Sequence, residues 1–312
     1  MKMGDEKTLF QKVGAISTSA LVLCGVIAAA AAVKTQEGAV PVDILPTNAL
    51  IVELPETEEK ITIAPAGAVV RSLEEESTTS TTTTQKTAAT VSVDFSKIRA
   101  YNQDVKAQIY LPGTKLNYWV AQGTDNSFYL NHNAYKQSFA WGTPMIDYRT
   151  TLTKDARSTN VVIYGHSNDK TGEHFSAIKN YNANGIEFYK QHPTIQFNTM
   201  FGDGNYKVFA MFLENVNVPG KSFGYHNFIN AKSQEDFDAF VKEAKGRSFL
   251  TMPVDVQYGD ELITLSTCLS TSSKNSRYVL MARKVRPGES AAVEVDQVAL
   301  NNNMIPASGP LN

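Results

Sequence analysis

Cysteine is nearly absent from this 312-residue chain, which has only Cys24 and Cys268, too few for a disulfide framework. No CxxC pair occurs either, so the spacing that presents thiolates to a structural zinc is missing. An excess of one charge is also lacking. With 29 Lys plus Arg against 31 Asp plus Glu, the net charge is −2, which argues against a nucleic-acid binder held by clustered cations. Apolar residues are not scarce. They make up 42% of the chain, which excludes wholesale disorder.

The charges are unevenly spread. From Thr35 to Val93 nine acidic residues stand against three basic ones, whereas Asp94 to Arg286 carries seventeen acidic and twenty-two basic. An acidic spacer therefore precedes a mildly basic domain. Ahead of both, Val13 to Val33 is an uncharged run of twenty-one residues, mostly Ala, Val, Leu and Ile, long enough to cross a bilayer core as one helix. Lys2, Lys7 and Lys12 precede it and Lys34 alone follows closely. The expected layout is a single-pass anchor in the cell membrane, residues 1–12 inside and the rest outside. A cleaved signal peptide is the competing reading, with Ala28 to Ala32 as small residues for cleavage, but such apolar cores usually run only about 7–15 residues.

Residues 34–93 contain Pro41, Pro46, Pro55 and Pro65, the acidic run Glu74 to Glu76 and a Thr-rich stretch from Ser77 to Thr84. This composition cannot bury enough apolar area to offset its ordering entropy. As a flexible coil it would span on the order of 45 Å, and it reads as a tether. Residues 287–312 have no basic residue and end in Asn, Pro, Ser and Gly. They read as a disordered tail.

Between these segments, residues 94–286 form a domain large enough for one core. Asp94 suits a helix N-cap, and Phe95, Ile98, Tyr101 and Val105 are spaced for one helix face. Strand-like runs follow at Tyr118 to Gln122, Asn160 to Tyr164, Thr194 to Phe197, Tyr206 to Phe212, Leu262 to Cys268 and Arg277 to Val285. Leu111 to Thr114 reads as the turn that begins the first strand. A second helix is signalled from Ser233 to Lys245, with Ser233 and Asp236 as a capping-box pattern and Gly246 as its stop. The pattern predicts a mainly β fold, a largely antiparallel sheet or barrel interrupted by helices.

Cys24 falls in the apolar run, which leaves Cys268 as the cysteine of the exported part. It closes a strand; a polar loop follows, and Arg277 opens the next strand, so the two flank one hairpin loop. Upstream, the β-branched run Asn160 to Tyr164 stops at Gly165-His166 and puts an imidazole at another strand exit. Four other histidines, His132, His174, His192 and His226, make His alone undiagnostic. Taken together, the three residues suffice for acyl transfer: a thiolate attacks a carbonyl, an imidazole moves a proton to the leaving amine, and a fixed donor fork steadies the oxyanion. That chemistry calls for neither metal nor cofactor. The bland alternative is a Cys268 buried as a small hydrophobe.

Thr264-Leu265-Ser266-Thr267-Cys268, Arg277 nine residues on, and Val161 to His166 upstream resemble the signature of the sortases, cysteine transpeptidases of the Gram-positive cell surface. Tyr118 to Gln122, Asp125-Asn126, Tyr129-Leu130, Met145 to Arg149 and Phe175 to Ile178 leading to Tyr181 point to class B. The resemblance implies a closed eight-stranded β-barrel with an N-terminal helix and a helical insertion before the Cys strand. It implies Cys268 as nucleophile, His166 as general acid and Arg277 as oxyanion or substrate contact. Ser266, Thr267 and Tyr181 are implied to contribute to a substrate pocket. The expected reaction cleaves a C-terminal sorting motif of a surface protein after Thr and passes the acyl group to an amine of a peptidoglycan precursor or pilin. Two other classes remain: a cell-wall cysteine peptidase that passes the acyl group to water, and a non-catalytic surface module in which Cys268 is dispensable.

Overall fold

The computed structural model describes residues 93–182, 184–270 and 275–311. The apolar run 13–33 and the spacer up to residue 92 lie outside them. Among the described residues no helix is long and apolar enough to cross a membrane.

Eight strands carry the architecture: β1 (Val105–Tyr110), β2 (Asn117–Ala121), β3 (Met145–Ile146), β4 (Asn160–Tyr164), β5 (Thr194–Thr199), β6 (Asn205–Asn215), β7 (Leu262–Cys268) and β8 (Ser276–Lys284). They close into a barrel in the order β1-β2-β3-β4-β7-β8-β6-β5, with β5 returning to β1. The expected mainly β barrel of eight strands is present. Two neighbours are parallel, β2 with β3 and β4 with β7. Every residue of β4 and β7 is buried, as their near-continuous apolar sequences require. The two-residue period still sorts their faces: Val161, Ile163, Ile263 and Leu265 join the main core, while Val162 and Tyr164 join a smaller cluster with Ala121, Tyr129 and Met145.

Three α-helices accompany the barrel: α1 (Ser96–Tyr101), α2 (Ile186–Gln191) and α3 (Gln234–Arg247). Asp94 accepts the Ser96 N–H at 2.8 Å as expected of a helix start, but α1 is shorter than its spacing predicts. Tyr101 is 74% exposed, and Val105 opens β1 instead of extending the helix face. The Val105–Tyr110 strand was hidden because its apolar residues continue a helical spacing. In consequence Leu111 to Thr114 joins β1 to β2 and does not precede the first strand. α3 begins as predicted, its Ser233 cap accepting the Asp236 N–H at 3.2 Å. It runs on through Gly246 and ends at Ser248.

The segment read as a disordered tail is packed instead. Val293 and Val298 enter the main core, and Ala299–Leu300 pair with Leu250–Thr251. The Asn301 side-chain amide donates to the carbonyls of Gly246 and Ser248, at 3.2 and 2.9 Å, in the last turn and C-cap of α3. Farther along, Gly246 accepts the Ile305 N–H at 2.8 Å, Pro306 accepts from Arg247 at 3.0 Å, and Pro310 accepts from Asn215 at 2.6 Å. The order comes from satisfying polar groups left open at a helix terminus, which no hydrophobic period announces.

Candidate active site

Cys268 and Arg277 are directly paired across the β7–β8 ladder, and Arg277 is in turn paired with Glu214 of β6. Directly opposite residues point to the same face, so Cys268 and Arg277 share a face with Glu214, whose fully buried carboxylate takes a 2.7 Å bond from Arg247. On the other flank, β4 runs parallel to β7 up to the Tyr164↔Ser266 pair, and the Gly165 N–H donates to the Ser266 carbonyl at 3.1 Å. His166 and Cys268 each follow that pair by two residues. The three residues singled out from sequence are thereby brought to one end of three adjacent strands.

His166 is held by its loop. Its carbonyl accepts the Phe175 N–H at 2.9 Å, and a Cβ on Gly165 would meet the Phe175 ring at 2.9 Å, so only glycine lets that ring seat beneath the loop. The His166 Nε2 lies 2.9 Å from the Leu130 carbonyl. A carbonyl can only accept, so Nε2 carries the hydrogen and Nδ1 holds the lone pair of the neutral ring. Burial pushes the imidazole below its ordinary value, and the Leu130 bond partly opposes this.

Beside it lies an aromatic stack that sequence reasoning passed over. His174 stacks on Tyr118, centroids 4.9 Å apart and 11° from parallel, and on Trp141 at 5.7 Å and 21°. Its backbone N–H donates to the Tyr118 hydroxyl at 2.9 Å. Burial, with a smaller push from His166, takes the His174 imidazole down to about 4.

Arg277 is buried, which pushes its guanidinium down, while Tyr225 and Tyr164 pull it the other way. Tyr225 opens a short turn, Tyr225–Asn227, and its hydroxyl is 2.7 Å from the Ser266 Oγ. Tyr164 donates to Asp147 at 2.8 Å. Burial alone would raise the Asp147 carboxyl, but the bonds from Arg149 and Tyr164 hold it below the usual carboxylate range. No sequence signal marked Tyr225 or His226; Asp147 and Arg149 stood inside a quoted motif without a role.

The three pocket residues expected from resemblance do not face a groove. Ser266 is fully buried and committed to Tyr225. Thr267 is also fully buried, one residue from Cys268 and so on the opposite face of the strand. Tyr181 belongs to the core, its ring against Phe188 and Tyr189 and its hydroxyl donating to the His192 carbonyl. A side chain with no exposed surface offers a peptide nothing to touch.

A nucleophile, an imidazole and a guanidinium at one strand end can perform acyl transfer. A family model described as a sortase domain matches residues 109–285. Sortase B of Staphylococcus aureus (strain NCTC 8325 / PS 47) is 28% identical over 198 residues, 62% of this chain and 75% of that protein. Sortase B of Listeria monocytogenes serovar 1/2a is 28% identical over 189 residues, 59% and 72% of the two chains. Among solved structures, a Staphylococcus aureus sortase B–substrate complex is similar with a TM-score of 0.55 at 27% identity, covering 62% of this chain and 84% of that one.

Proposed function

Since this chain belongs to the sortase family, we propose that it acts as a class B type cysteine transpeptidase of the cell wall, with Cys268, His166 and Arg277 as its reacting trio. The observation that carries the reading is the convergence of these residues at the ends of β4, β7 and β8. Cys268 gives its thiol proton to the lone pair on His166 Nδ1, and its Sγ attacks the carbonyl carbon of the Thr in a C-terminal sorting motif. Arg277 steadies the oxyanion, and as the C–N bond breaks His166 gives a proton to the leaving amine. The acyl group then rests on Cys268 as a thioester. An amine of a peptidoglycan precursor or a pilin Lys attacks it, gives a proton to His166, and forms the new C–N bond as the C–S bond breaks, the proton returning to the released Cys268 sulfur. The same reading takes residues 13–33 as the membrane anchor, 34–93 as the tether and the domain as extracellular.

The test is trapping by the full chain. It is incubated with fluorescent sorting-motif peptides, with and without an added amine, and its intact mass is followed. A mass adduct that Cys268→Ala abolishes, and that turns over faster with amine, is expected. Turnover indifferent to amine would assign the chain to the hydrolases. A reactive Cys268 without adducts would leave the motif to be found, and an unreactive one would favour a binding module.

A further inference from the structure

Asp147 follows β3 directly and extends its ladder, its N–H donating to the Val162 carbonyl at 2.8 Å. Its carboxylate is fully buried and takes side-chain hydrogen bonds from three residues, with the Arg149 backbone N–H adding one at 2.9 Å. Arg149 folds back over two residues to donate Nε to Oδ1 at 2.9 Å and Nη2 to Oδ2 at 2.8 Å; Tyr164 donates at 2.8 Å and Asn126 at 3.1 Å. An arginine fork seated on a buried carboxylate in this way has a fixed direction. The rest of the guanidinium is aimed at a segment 77 and 78 residues away. Nη2 donates to the His226 carbonyl at 2.8 Å, and Nη1 to the Asn227 Oδ1 at 3.1 Å.

These two bonds end on the Tyr225–Asn227 turn, which is held on its other side by the Tyr225–Ser266 contact. Between the two attachments sits His226, half-buried, its ring Nδ1 without a hydrogen-bond partner among the described residues. That ring lies within electrostatic reach of Arg149, Asp147 and Arg277. The turn therefore lies near the Arg277 guanidinium, and it is tied across to the end of β3.

We propose that Arg149, locked by Asp147, is a positioning residue for the peptide: it ties the Tyr225–Asn227 turn to the end of β3 and so fixes the wall of the groove beside Arg277. The inference rests on the reading of Cys268, His166 and Arg277 as the reacting trio. The guanidinium bonds of Arg149 go to Asp147, His226 and Asn227. Its loss should loosen peptide binding while the chemistry at Cys268 continues.

The experiment compares the full chain with Arg149→Gln, Arg149→Lys and Asn227→Ala. Arg149→Gln also strips the buried Asp147 of its counter-charge, so Asn227→Ala, which leaves that pair intact, tests the tie by itself. For Arg149→Gln, KM for the sorting-motif peptide should rise about tenfold with kcat within about twofold, Arg149→Lys and Asn227→Ala falling between it and the parent. Alkylation of Cys268 by iodoacetamide, which needs no wall, should be unchanged. By hydrogen exchange, the Asn227 and Phe228 amides, bonded to the Gly224 and Tyr225 carbonyls, should open about tenfold faster while β7 amides keep their protection. Unchanged turn amides would overturn the proposal, as would a fall in kcat matched by slower alkylation. If the parent chain turns over no peptide, the functional reading fails, and the exchange measurement still decides whether Arg149 holds the turn.

Discussion

A buried imidazole has a thermodynamic signature. His174 is held neutral between two aromatic rings with its value at about 4, against an ordinary 6.5. Because its folded value is depressed, the unfolded chain takes up the proton first. The stability it contributes is fully present above about 6.5 and is lost as the pH falls toward about 4, a difference of about 3 kcal/mol. His174→Phe keeps a ring in the stack and removes the titration. Urea unfolding at a series of pH values from 7 to 4 should show the parent losing stability through this window and the variant a shallower decline. At this scale the sequence was informative wherever a residue closed a strand. Cys268 and His166 were legible because apolar runs stop at or just before them, and Arg277 because the next run starts there. Thr267 and Tyr181 misled because a motif records which residues recur near a site and not which way each side chain points. His174 gave no sign at all, since its environment is assembled from Tyr118 and Trp141, remote in the chain.

At the scale of elements, the molecule depends on a segment whose composition promised nothing. The stretch after β8 lays two valines on the core and closes the end of α3 with Asn301. Deleting residues 298–312 removes the Val298 burial, the small strand pair and these bonds, and should cost at least about 3 kcal/mol. Asn301→Ala alone should cost about 1–2 kcal/mol. Both are read from urea midpoints, and deletion with no shift would mean the packing is ornamental. Helix α3 was legible because its cap and its Phe237, Phe240, Val241 and Ala244 face are both written locally. Strand β1 was not, because a few residues can satisfy periods of 3.6 and of 2 together.

At the scale of the whole molecule, β8 connects two charged centres. Arg277 stands at the end beside Cys268. At the far end Arg283 is fully buried, donating to Asp255 at 3.0 Å and to Glu289, with Asp260 at 3.9 Å. Arg283→Met would leave Glu289 and Asp260 without their central counter-charge and should cost about 3–5 kcal/mol, measured by denaturant unfolding; a neutral effect would show the carboxylates to be satisfied by Arg286 and Lys207 alone. The barrel order itself was beyond sequence reasoning, because pairing between strands depends on closure and not on any local signal. One pairing in that order governs how the molecule comes into being. The His strand β4 and the Cys strand β7 are parallel neighbours, bridged for example by Thr264 and Asn160 across 104 residues. Contacts so remote in the chain form slowly, after the entropy of closing the intervening loop has been met. In a nascent chain emerging from its N-terminus, β4 must wait for β7 and β8 to arrive. A fragment that ends before β7 cannot hold Cys268 and His166 together, and the site is assembled only once the Cys strand has been made.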